Sequence, residues 1–404
     1  MIGGIAANNA SGMCCGVSDN SYKTVESMKI VFADGAFLDT GDEESKRAFR
    51  NSHSELLNEI EKLAKETKNN EVLAERIRHK FKMKNTTGYS LNAFVDYSDP
   101  FDIINHIMIG SEGTLGFIAE ITYRTVEDLP NKASALMIFP TIEDASNAVT
   151  ILKNQDVSAV ELIDRAGLRS AEDEKGMPLY LKDLSDTATA ILVETRADNP
   201  ETLNKNIDHI LEAIKDITPE IPIEFTDKPS EYAVYWKIRK GLYPSVGAVR
   251  KLGTTVIIED VAFPVSRLAE ATLDLQALFK KHDYTEAVIF GHALDGNLHF
   301  VFTQNFDEQD QVNRYERFIN DLVNLVVEKY DGALKAEHGT GRNMAPFVQK
   351  EWGKAVYVMM QKIKKIFDPN NLLNPGVIIN DDKQAHLKNL KPLPVANELI
   401  DKCI

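Results

Sequence analysis

The sequence of 404 residues contains only three cysteines, and this scarcity excludes a fold held by disulfide bonds. Cys14 and Cys15 are adjacent and Cys403 is the penultimate residue, so they form no plausible framework of pairs. The pattern favours a reducing compartment. We therefore expect a cytoplasmic protein, with a peripheral position at the inner face of the cytoplasmic membrane as the alternative.

Long apolar runs and an excess of positive charge are missing as well. No segment approaches the roughly 18 apolar residues of a membrane-spanning helix. The 46 lysines and arginines are outnumbered by 61 aspartates and glutamates, which gives a formal charge of −15. A polyphosphate partner would need a basic surface, so we expect no nucleic-acid binding.

Two histidines flank an Asp-Gly pair, and this is the most informative local pattern. Asp295-Gly296 favours a two-residue type I′ hairpin turn, in which both central residues adopt positive φ. With the turn there, His292 lies directly opposite His299, and opposed Cβ atoms are about 4.5–5.5 Å apart. The spacing therefore predicts that both imidazoles reach one metal ion.

A third metal ligand is predicted at Glu337. The short apolar run 332–336 predicts a strand that ends at Glu337 and His338. Two imidazoles and one carboxylate leave positions open on Zn²⁺, Mn²⁺ or Fe²⁺, as a catalytic site requires. The alternative is an ordinary hairpin whose histidines bind no metal, and the pattern by itself leaves both interpretations open.

Three loops combine glycine with hydrogen-bonding side chains: 3–12, 84–89 and 110–116. Glycine lets the backbone approach a ligand closely, and exposed amide groups can receive phosphate or carbonyl oxygens. Each loop taken alone is more typical of a tight turn than of a cofactor contact.

The order of elements predicts an α+β fold. The segment 128–131, Asp-Leu-Pro-Asn, interrupts the pattern and predicts a domain boundary. Strand and helix patterns alternate after it, which favours a sheet layered with helices. We predict domains at 1–128 and 129–380, followed by a linker at 381–404.

Six motifs in a fixed order give the sequence a family resemblance. They are Gly-Gly-x-x-Ala-x-Asn-Ala-x-Gly (3–12), Asn-Thr-Thr-Gly-Tyr (85–89), Gly-Ser-Glu-Gly-Thr-Leu-Gly (110–116), Gly-His-x-x-Asp-Gly-Asn-Leu-His (291–299), Glu-His-Gly-Thr-Gly (337–341) and Phe-Asp-Pro-x-x-x-x-Asn-Pro-Gly (367–376). From residue 2 to about residue 379 the chain resembles the FAD-linked 2-hydroxy acid dehydrogenases of the vanillyl-alcohol oxidase superfamily, whose FAD domain is of the PCMH type.

The resemblance implies a domain plan and a flavin site. Residues 1–128 correspond to the second subdomain of the FAD-binding domain, and 129–380 to an α+β cap domain with an antiparallel sheet and flanking helices. The residues implied to contact FAD are Gly4, Asn8, Asn9, Ala10, Gly12, Gly110, Ser111, Glu112, Gly113, Thr114, Leu115, Gly116 and Asn374.

The resemblance also implies a longer parent protein. The first FAD subdomain of the family would precede Met1, so we expect this chain alone to hold FAD poorly. Cys403 resembles the first cysteine of the iron-sulfur domain that follows the cap in bacterial D-lactate dehydrogenases of this family. One cysteine binds no cluster, so an iron-sulfur cluster is expected only in the longer parent.

The implied mechanism is hydride transfer from C2 of a 2-hydroxy acid to the flavin. A metal held by His292, His299 and Glu337 would polarise the substrate hydroxyl, and His338 corresponds to the family's general base. Arg239 matches the family arginine that binds the substrate carboxylate, and Arg250 is the second choice.

Two departures from the 2-hydroxyglutarate enzymes favour a small substrate. Val301 replaces an asparagine, and Ile258 and Glu259 stand where a lysine is expected. A distal carboxylate would lack partners, so we expect D-lactate, oxidised to pyruvate. The electron acceptor stays open, with a quinone or a cytochrome as candidates. The alternatives are an inactive fragment and a His-His-Glu metallohydrolase, although no H-E-x-x-H helix is present.

Overall fold

The structure is a computed structural model that describes residues 1–13, 16–173 and 176–390. Contacts divide the chain into two compact units. Among the described residues, the first unit contains those of 1–128, 260–264 and 331–386, and the second contains those of 129–259, 265–330 and 387–390. The cysteines and part of the predicted linker lie outside the described residues.

The secondary structure alternates between helices and strands. The α-helices are α1 (Ile2–Asn8), α2 (Ser21–Thr24), α3 (Glu43–Ser52), α4 (Ser54–Asn69), α5 (Glu71–Lys80), α6 (Ala93–Asp96), α7 (Pro100–Met108), α8 (Ile142–Leu152), α9 (Arg165–Ala171), α10 (Pro200–Ala213), α11 (Pro229–Val249), α12 (Leu268–Lys281), α13 (Gln309–Asn324), α14 (Gly341–Met344) and α15 (Val348–Phe367). The strands are β1 (Val25–Val31), β2 (Phe37–Asp39), β3 (Phe117–Tyr123), β4 (Asn131–Phe139), β5 (Ala159–Ile163), β6 (Thr189–Ala197), β7 (Thr255–Ala262), β8 (Val288–His292) and β9 (Asn297–Gln304). Short 3₁₀ turns occur at Leu179–Asp183, Val265–Arg267, Ala293–Asp295, Ala345–Phe347 and Ala385–Leu387, and Leu325–Lys329 forms a π-helical turn.

The first unit packs helices against a small antiparallel sheet of order β2-β1-β3. Strand β1 buries alternate residues such as Met28 and Ile30, as expected for a strand with one face on a core. Helix α4 buries Leu57, Ile60 and Leu63 at helical spacing, which places them in the same core. Asp42 caps α3 by accepting the Ser45 N–H, and Asn70 caps α5 in the same way.

The C-terminal helix belongs to the first unit, and this differs from the predicted domain limits. The sequence prediction placed residues up to 380 in the second domain, whereas Asp331–His386 return to the first unit. The reason is packing. Helix α15 buries Met360, Ile363 and Phe367 in the core that contains β1 and α4.

The second unit is built on a six-stranded sheet of order β4-β6-β5-β8-β9-β7. The neighbouring pairs β4/β6, β6/β5, β5/β8 and β8/β9 are antiparallel. One face packs against α9 and α11 through an apolar cluster that includes Ile163, Ile238 and Phe290. The predicted α+β class with an antiparallel sheet and flanking helices is therefore confirmed.

The turn between β8 and β9 is longer than the two-residue turn predicted from Asp295-Gly296. His292 pairs with Asn297 and Phe290 pairs with His299, so four residues, 293–296, connect the strands. Ala293–Asp295 form a 3₁₀ turn, and Gly296 has positive φ of 65° whereas Asp295 does not. The predicted type I′ turn and the direct pairing of the two histidines are wrong, because the chain closes the hairpin with an extra turn of backbone.

The predicted strand at 332–336 is also absent from the described structure. Ala333 forms one isolated antiparallel bridge with Ala262 inside the first unit. Within the described residues no helix is both long and apolar enough to cross a membrane.

Candidate active site

The two histidines of the hairpin meet despite the different register. Phe290 and His292 are two residues apart in β8, so their side chains lie on the same face of the sheet. His299 pairs with Phe290, which makes the two histidines diagonal neighbours on that face. Their Nε2 atoms are 3.3 Å apart and both side chains are buried. The predicted convergence of two imidazoles is therefore present within the second unit.

A buried carboxylate orients His292. Glu161 lies on β5 opposite His292, with its side chain fully buried, and its Oε1 is 2.6 Å from His292 Nδ1. Burial alone would raise the pKa of Glu161, but the charges and hydrogen bonds of His292 and Arg239 outweigh burial and hold that pKa below its ordinary value. An ionised carboxylate accepts hydrogen bonds and donates none, so Nδ1 of His292 carries the proton and Nε2 presents its lone pair.

Arg239 reaches the same carboxylate from helix α11. Its Nε donates to Glu161 Oε2 at 2.6 Å, and its guanidinium lies over the ring of Phe290, 4.5 Å from the centroid. The residue is 8% exposed. Because the ion pair uses Nε, the two terminal Nη groups of the fork can still bind another carboxylate.

The geometry of the histidine pair fits a bound metal ion. Two nitrogen ligands at about 2.0–2.1 Å from a tetrahedral ion lie about 3.3 Å from one another. The observed separation of the Nε2 atoms is 3.3 Å. In addition, a carboxylate bonded to the second ring nitrogen is the usual support of a metal-binding histidine, and Glu161 supplies it.

The first unit contains the predicted carboxylate and base. Glu337 and His338 follow the bridge at Ala333, and the carboxylate of Asp260 lies beside both residues. Asp260 is fully buried, and its Oδ2 accepts the backbone N–H groups of Ala336 and Glu337. Its Oδ1 lies 3.1 Å from Nδ1 of His338.

Asp260 also changes the basicity of His338. Burial lowers the pKa of His338, but the hydrogen bond and the charge of Asp260 outweigh burial and raise the pKa above its ordinary value. The side chain of His338 is 34% exposed, so its ring is accessible as well as oriented. This arrangement suits a residue that accepts a proton.

Glu337 is held by a lysine and a serine. Lys84 Nζ and Ser11 Oγ each lie 3.0 Å from Glu337 Oε2, and the Lys84 side chain is 2% exposed. These two residues belong to the glycine-containing loops at 84–89 and 3–12. The loops therefore have a function in the first unit that their sequences did not indicate, which is to fix one oxygen of Glu337.

The two predicted flavin loops are bonded to one another. The backbone N–H groups of Gly110 and Glu112 donate to the carbonyls of Ala6 and Ala7. Asn9, with positive φ of 48°, ends α1 beside this contact. Buried Oδ1 of Asn9 and buried Oγ of Ser111 have no hydrogen-bond partner among the described residues. Buried polar atoms without partners are expected where a ligand supplies them, so both atoms fit a bound cofactor.

Other residues of the predicted flavin set have partners within the protein. The Glu112 carboxylate accepts the N–H groups of Thr340 and Gly341, and Asn374 Nδ2 donates to the Glu112 carbonyl. Thr114 binds the hydroxyl of Tyr89, and Leu115 is fully buried in the core. Their side chains support the loop.

The remaining predicted positions fall into three groups. A Cβ added at Gly4, Gly12 or Gly113 would meet no described atom within 4 Å, whereas at Gly116 it would meet side chains of Ile30 and Met108. Asn8 donates to the Glu337 carbonyl, and Ala10 is partly buried. Arg250 is exposed and donates to the Gly247 carbonyl, so it does not share the surroundings of Arg239.

A comparison with protein families identifies this arrangement. The family described as "FAD linked oxidases, C-terminal domain" matches residues 129–378. The chain belongs to this family. The family resemblance seen in the sequence is thereby confirmed.

Relatives of this FAD-linked oxidase chain act on small hydroxy acids, according to their names. It is 30% identical to a mitochondrial D-lactate dehydrogenase [cytochrome] of Arabidopsis thaliana over 284 residues, which cover 68% of this chain and 47% of the relative. It is 28% identical to glycolate oxidase subunit GlcD of Bacillus subtilis over 287 residues, which cover 70% of this chain and 58% of the relative. The chain thus matches about half the length of these curated relatives.

A solved structure of p-cresol methylhydroxylase with substrate bound shares the fold. The two superpose with a TM-score of 0.58 at 14% identity, covering 93% of this chain and 69% of the other. At this identity the similarity concerns the fold of the FAD-linked oxidase chain and not its reaction.

Sequence reasoning missed Glu161 in the second unit and Asp260 and Lys84 in the first unit. Glu161 left a detectable signal, because a single glutamate interrupts the apolar strand Ala159–Ile163. A charged residue inside a buried strand needs a partner. Which partner it has depends on the pairing of β5 with β8, and the sequence does not specify that pairing.

Proposed function

We propose that this chain is part of an FAD-dependent dehydrogenase that oxidises a small D-2-hydroxy acid, with D-lactate converted to pyruvate. The observation that carries the proposal is the pair of Nε2 atoms 3.3 Å apart, next to a buried arginine and a shared buried carboxylate. Membership of the FAD-linked oxidase family and the names of the relatives support this class of reaction.

Two bound groups would supply chemistry that side chains lack. When bound, FAD would supply a hydride acceptor for C2 of the substrate, and a divalent metal would supply positive charge that stabilises the C2 oxygen. Asn9 and Ser111 are the proposed polar contacts of FAD, because each has a buried oxygen without a partner among the described residues. His292 and His299 are the proposed metal ligands of the second unit, and Glu337 is the third ligand proposed from the sequence.

Arg239 and His338 are the side chains proposed to bind the substrate and to accept its proton. The Nη1 and Nη2 groups of Arg239 bind the substrate carboxylate, because Nε is already bonded to Glu161. His338 accepts the proton of the C2 hydroxyl at Nε2, since its Nδ1 faces Asp260. Asp260 then stabilises the imidazolium that forms.

The surroundings of Val301 support a short substrate. Val301 is fully buried in the apolar cluster that contains Ile238 and Phe290. A second carboxylate placed against this cluster would lose its hydration without gaining a partner, which is costly. D-lactate, whose third carbon is a methyl group, meets no such penalty.

Metal analysis and turnover together test the proposal. The purified chain, supplied with Zn²⁺ or Mn²⁺ and with FAD in large excess because it is expected to hold the cofactor poorly, should oxidise D-lactate with an artificial electron acceptor. His299→Ala should lose bound metal and turnover together, because it removes one of two nitrogen ligands. Equal metal content in the wild type and His299→Ala would contradict the metal site.

A further inference from the structure

We propose that Glu161 is a positioning residue that acts through His292 and Arg239. One oxygen of this carboxylate fixes the imidazole for metal binding, and the other fixes the guanidinium for the substrate carboxylate. This inference rests on the proposed function and names the residue that couples its two binding steps. It concerns residues of the second unit alone.

The placement of Glu161 makes it rigid. It lies on β5, whose backbone pairs with β6 on one side and β8 on the other. Its side chain has no exposed surface, and both oxygens form hydrogen bonds of 2.6 Å, one to His292 Nδ1 and one to Arg239 Nε. A carboxylate is planar, so the orientation of one partner restricts the orientation of the other.

The chemistry of the carboxylate explains why both of its contacts matter. Both partners must donate, because an ionised carboxylate can only accept. For His292 this fixes the proton on Nδ1 and leaves the Nε2 lone pair for a metal ion. For Arg239 it uses Nε and directs the parallel Nη donors away from Glu161.

Neither close analogue of glutamate can replace it. Glutamine has one accepting oxygen and one donating NH₂, so it can serve His292 or Arg239 but must present N–H to the other. Aspartate keeps the charge but is shorter by one carbon–carbon bond, about 1.5 Å. It cannot maintain both hydrogen bonds unless the strands move.

Glu194 offers a matched control on the neighbouring strand. In the register of β5 and β6, Glu194 pairs with Ala159 and lies on the same face as Glu161. It is buried and accepts hydrogen bonds from Trp236 Nε1 at 3.0 Å and Arg196 Nε at 2.7 Å. It therefore resembles Glu161 in burial and charge, and it also contacts helix α11 without contacting His292 or Arg239.

The test compares Glu161→Gln, Glu161→Asp and Glu194→Gln in the full chain. Zn²⁺ affinity is measured by competition with a chelating dye, and KM for D-lactate is measured with FAD and an artificial acceptor. Each Glu161 variant should show metal affinity at least tenfold weaker, KM at least tenfold higher, or both, since loss of a residue that supports a metal ligand commonly costs about 10–100-fold. Glu194→Gln should stay within about twofold of the wild type in both.

The outcomes separate this inference from the proposed function. A wild type that binds Zn²⁺, with Glu161→Gln unchanged in both measurements, overturns the role of Glu161 and leaves the proposed function intact. A wild type that binds no metal contradicts the metal site itself. That outcome also removes the metal-binding part of this inference. If the wild type binds metal but the Glu161 variants do not fold, ¹⁵N NMR of the metal-free wild type decides. Protonation of His292 at Nδ1 supports the inference, and protonation at Nε2 overturns it.

Discussion

Buried carboxylates orient the proposed catalytic histidines in both units. Glu161 is hydrogen-bonded to Nδ1 of His292, and Oδ1 of Asp260 lies 3.1 Å from Nδ1 of His338. In each case the ring is fixed at one nitrogen, and the other nitrogen is directed away from the carboxylate. The histidines could be predicted from local motifs, whereas the carboxylates could not. Glu161 and His292 are 131 residues apart in the chain, so their contact depends on strand pairing.

At the residue scale, Arg239 should be the most sensitive position for substrate binding. Arg239→Ala should lower kcat/KM for D-lactate at least about tenfold, because a hydrogen bond to a charged partner is worth about 1.5–3 kcal/mol. Arg239→Lys should not restore activity, since lysine lacks both the fork and the Nε that pairs with Glu161. Steady-state kinetics of both variants measure this.

The competing candidate provides the contrary outcome. If Arg250→Ala, and not Arg239→Ala, lowers kcat/KM, the carboxylate site must be reassigned to the exposed end of α11. Thermal unfolding of each variant must be checked as well. Removing one member of a buried ion pair leaves Glu161 uncompensated, which typically costs about 3–5 kcal/mol of stability.

Asp164 should make the stability of the second unit depend on pH. It is buried at the start of α9, where Oδ1 accepts the Gly167 N–H, and burial raises its pKa from 3.8 to about 7. The folded state therefore keeps a proton that the unfolded chain releases above about pH 4. This contribution to stability is complete below pH 3.8 and is lost as the pH rises to about 7.

Asp164→Asn isolates that contribution, because asparagine can still cap α9 but does not titrate. The wild type should lose stability relative to the variant between pH 4 and 7, as measured by urea unfolding at several pH values. A constant difference between the two proteins across this range would show that Asp164 titrates normally.

At the element scale, local patterns predicted strands better than connections. The alternation in 117–123 and the apolar residues of 159–163 predict two strands, and the structure has strands at Phe117–Tyr123 and Ala159–Ile163. Apolar residues at helical spacing predict helix in the charged stretch 43–68, which forms α3 and α4 with a break at His53, whose ψ is 35°. The prediction of the β8/β9 turn was wrong, because the turn preference of one dipeptide contributes less free energy than the side-chain packing that selects the strand register.

Gly291 fixes that register and should not tolerate a side chain. A Cβ at this position would lie 2.1 Å from the Asn297 carbonyl oxygen and 2.8 Å from the Leu298 Cα, both in the backbone of β9. Gly291→Ala should therefore separate the strands that hold His292 and His299. We expect a loss of stability of about 1–3 kcal/mol and weaker metal binding, measured by thermal unfolding and metal titration.

Gly247 is the control for this substitution. It lies in α11, where the nearest described atom to an added Cβ, apart from its chain neighbours and its own helix backbone, is a side-chain carbon of Val256 at 3.9 Å. Gly247→Ala should be neutral or stabilising by up to about 1 kcal/mol, because alanine favours helix. Equal effects of the two substitutions would mean that the close approach at Gly291 is not what fixes the hairpin.

At the scale of the whole molecule, the sequence predicted the fold class but not the path of the chain. The two units divide between residues 128 and 129, within the Asp-Leu-Pro-Asn segment. The return of 260–264 and 331–386 to the first unit was not predicted. Those segments have ordinary apolar periodicity, and periodicity does not show which of two cores a helix joins.

The two cores should respond separately to a local substitution, and the sequence provides a probe for each. It contains two tryptophans, Trp236 in the second unit and Trp352 in the first. Trp236 Nε1 donates to Glu194, and Trp352 Nε1 donates to the Thr87 carbonyl, so the fluorescence of each depends on its own unit.

Single-tryptophan variants separate the two signals. In Trp352→Phe protein the fluorescence reports on the second unit, and in Trp236→Phe protein it reports on the first. Adding Gly291→Ala to both should lower the urea midpoint more for the Trp236 signal than for the Trp352 signal, because the substitution strains the second unit's sheet. Equal shifts would show instead that the two units unfold as one cooperative structure.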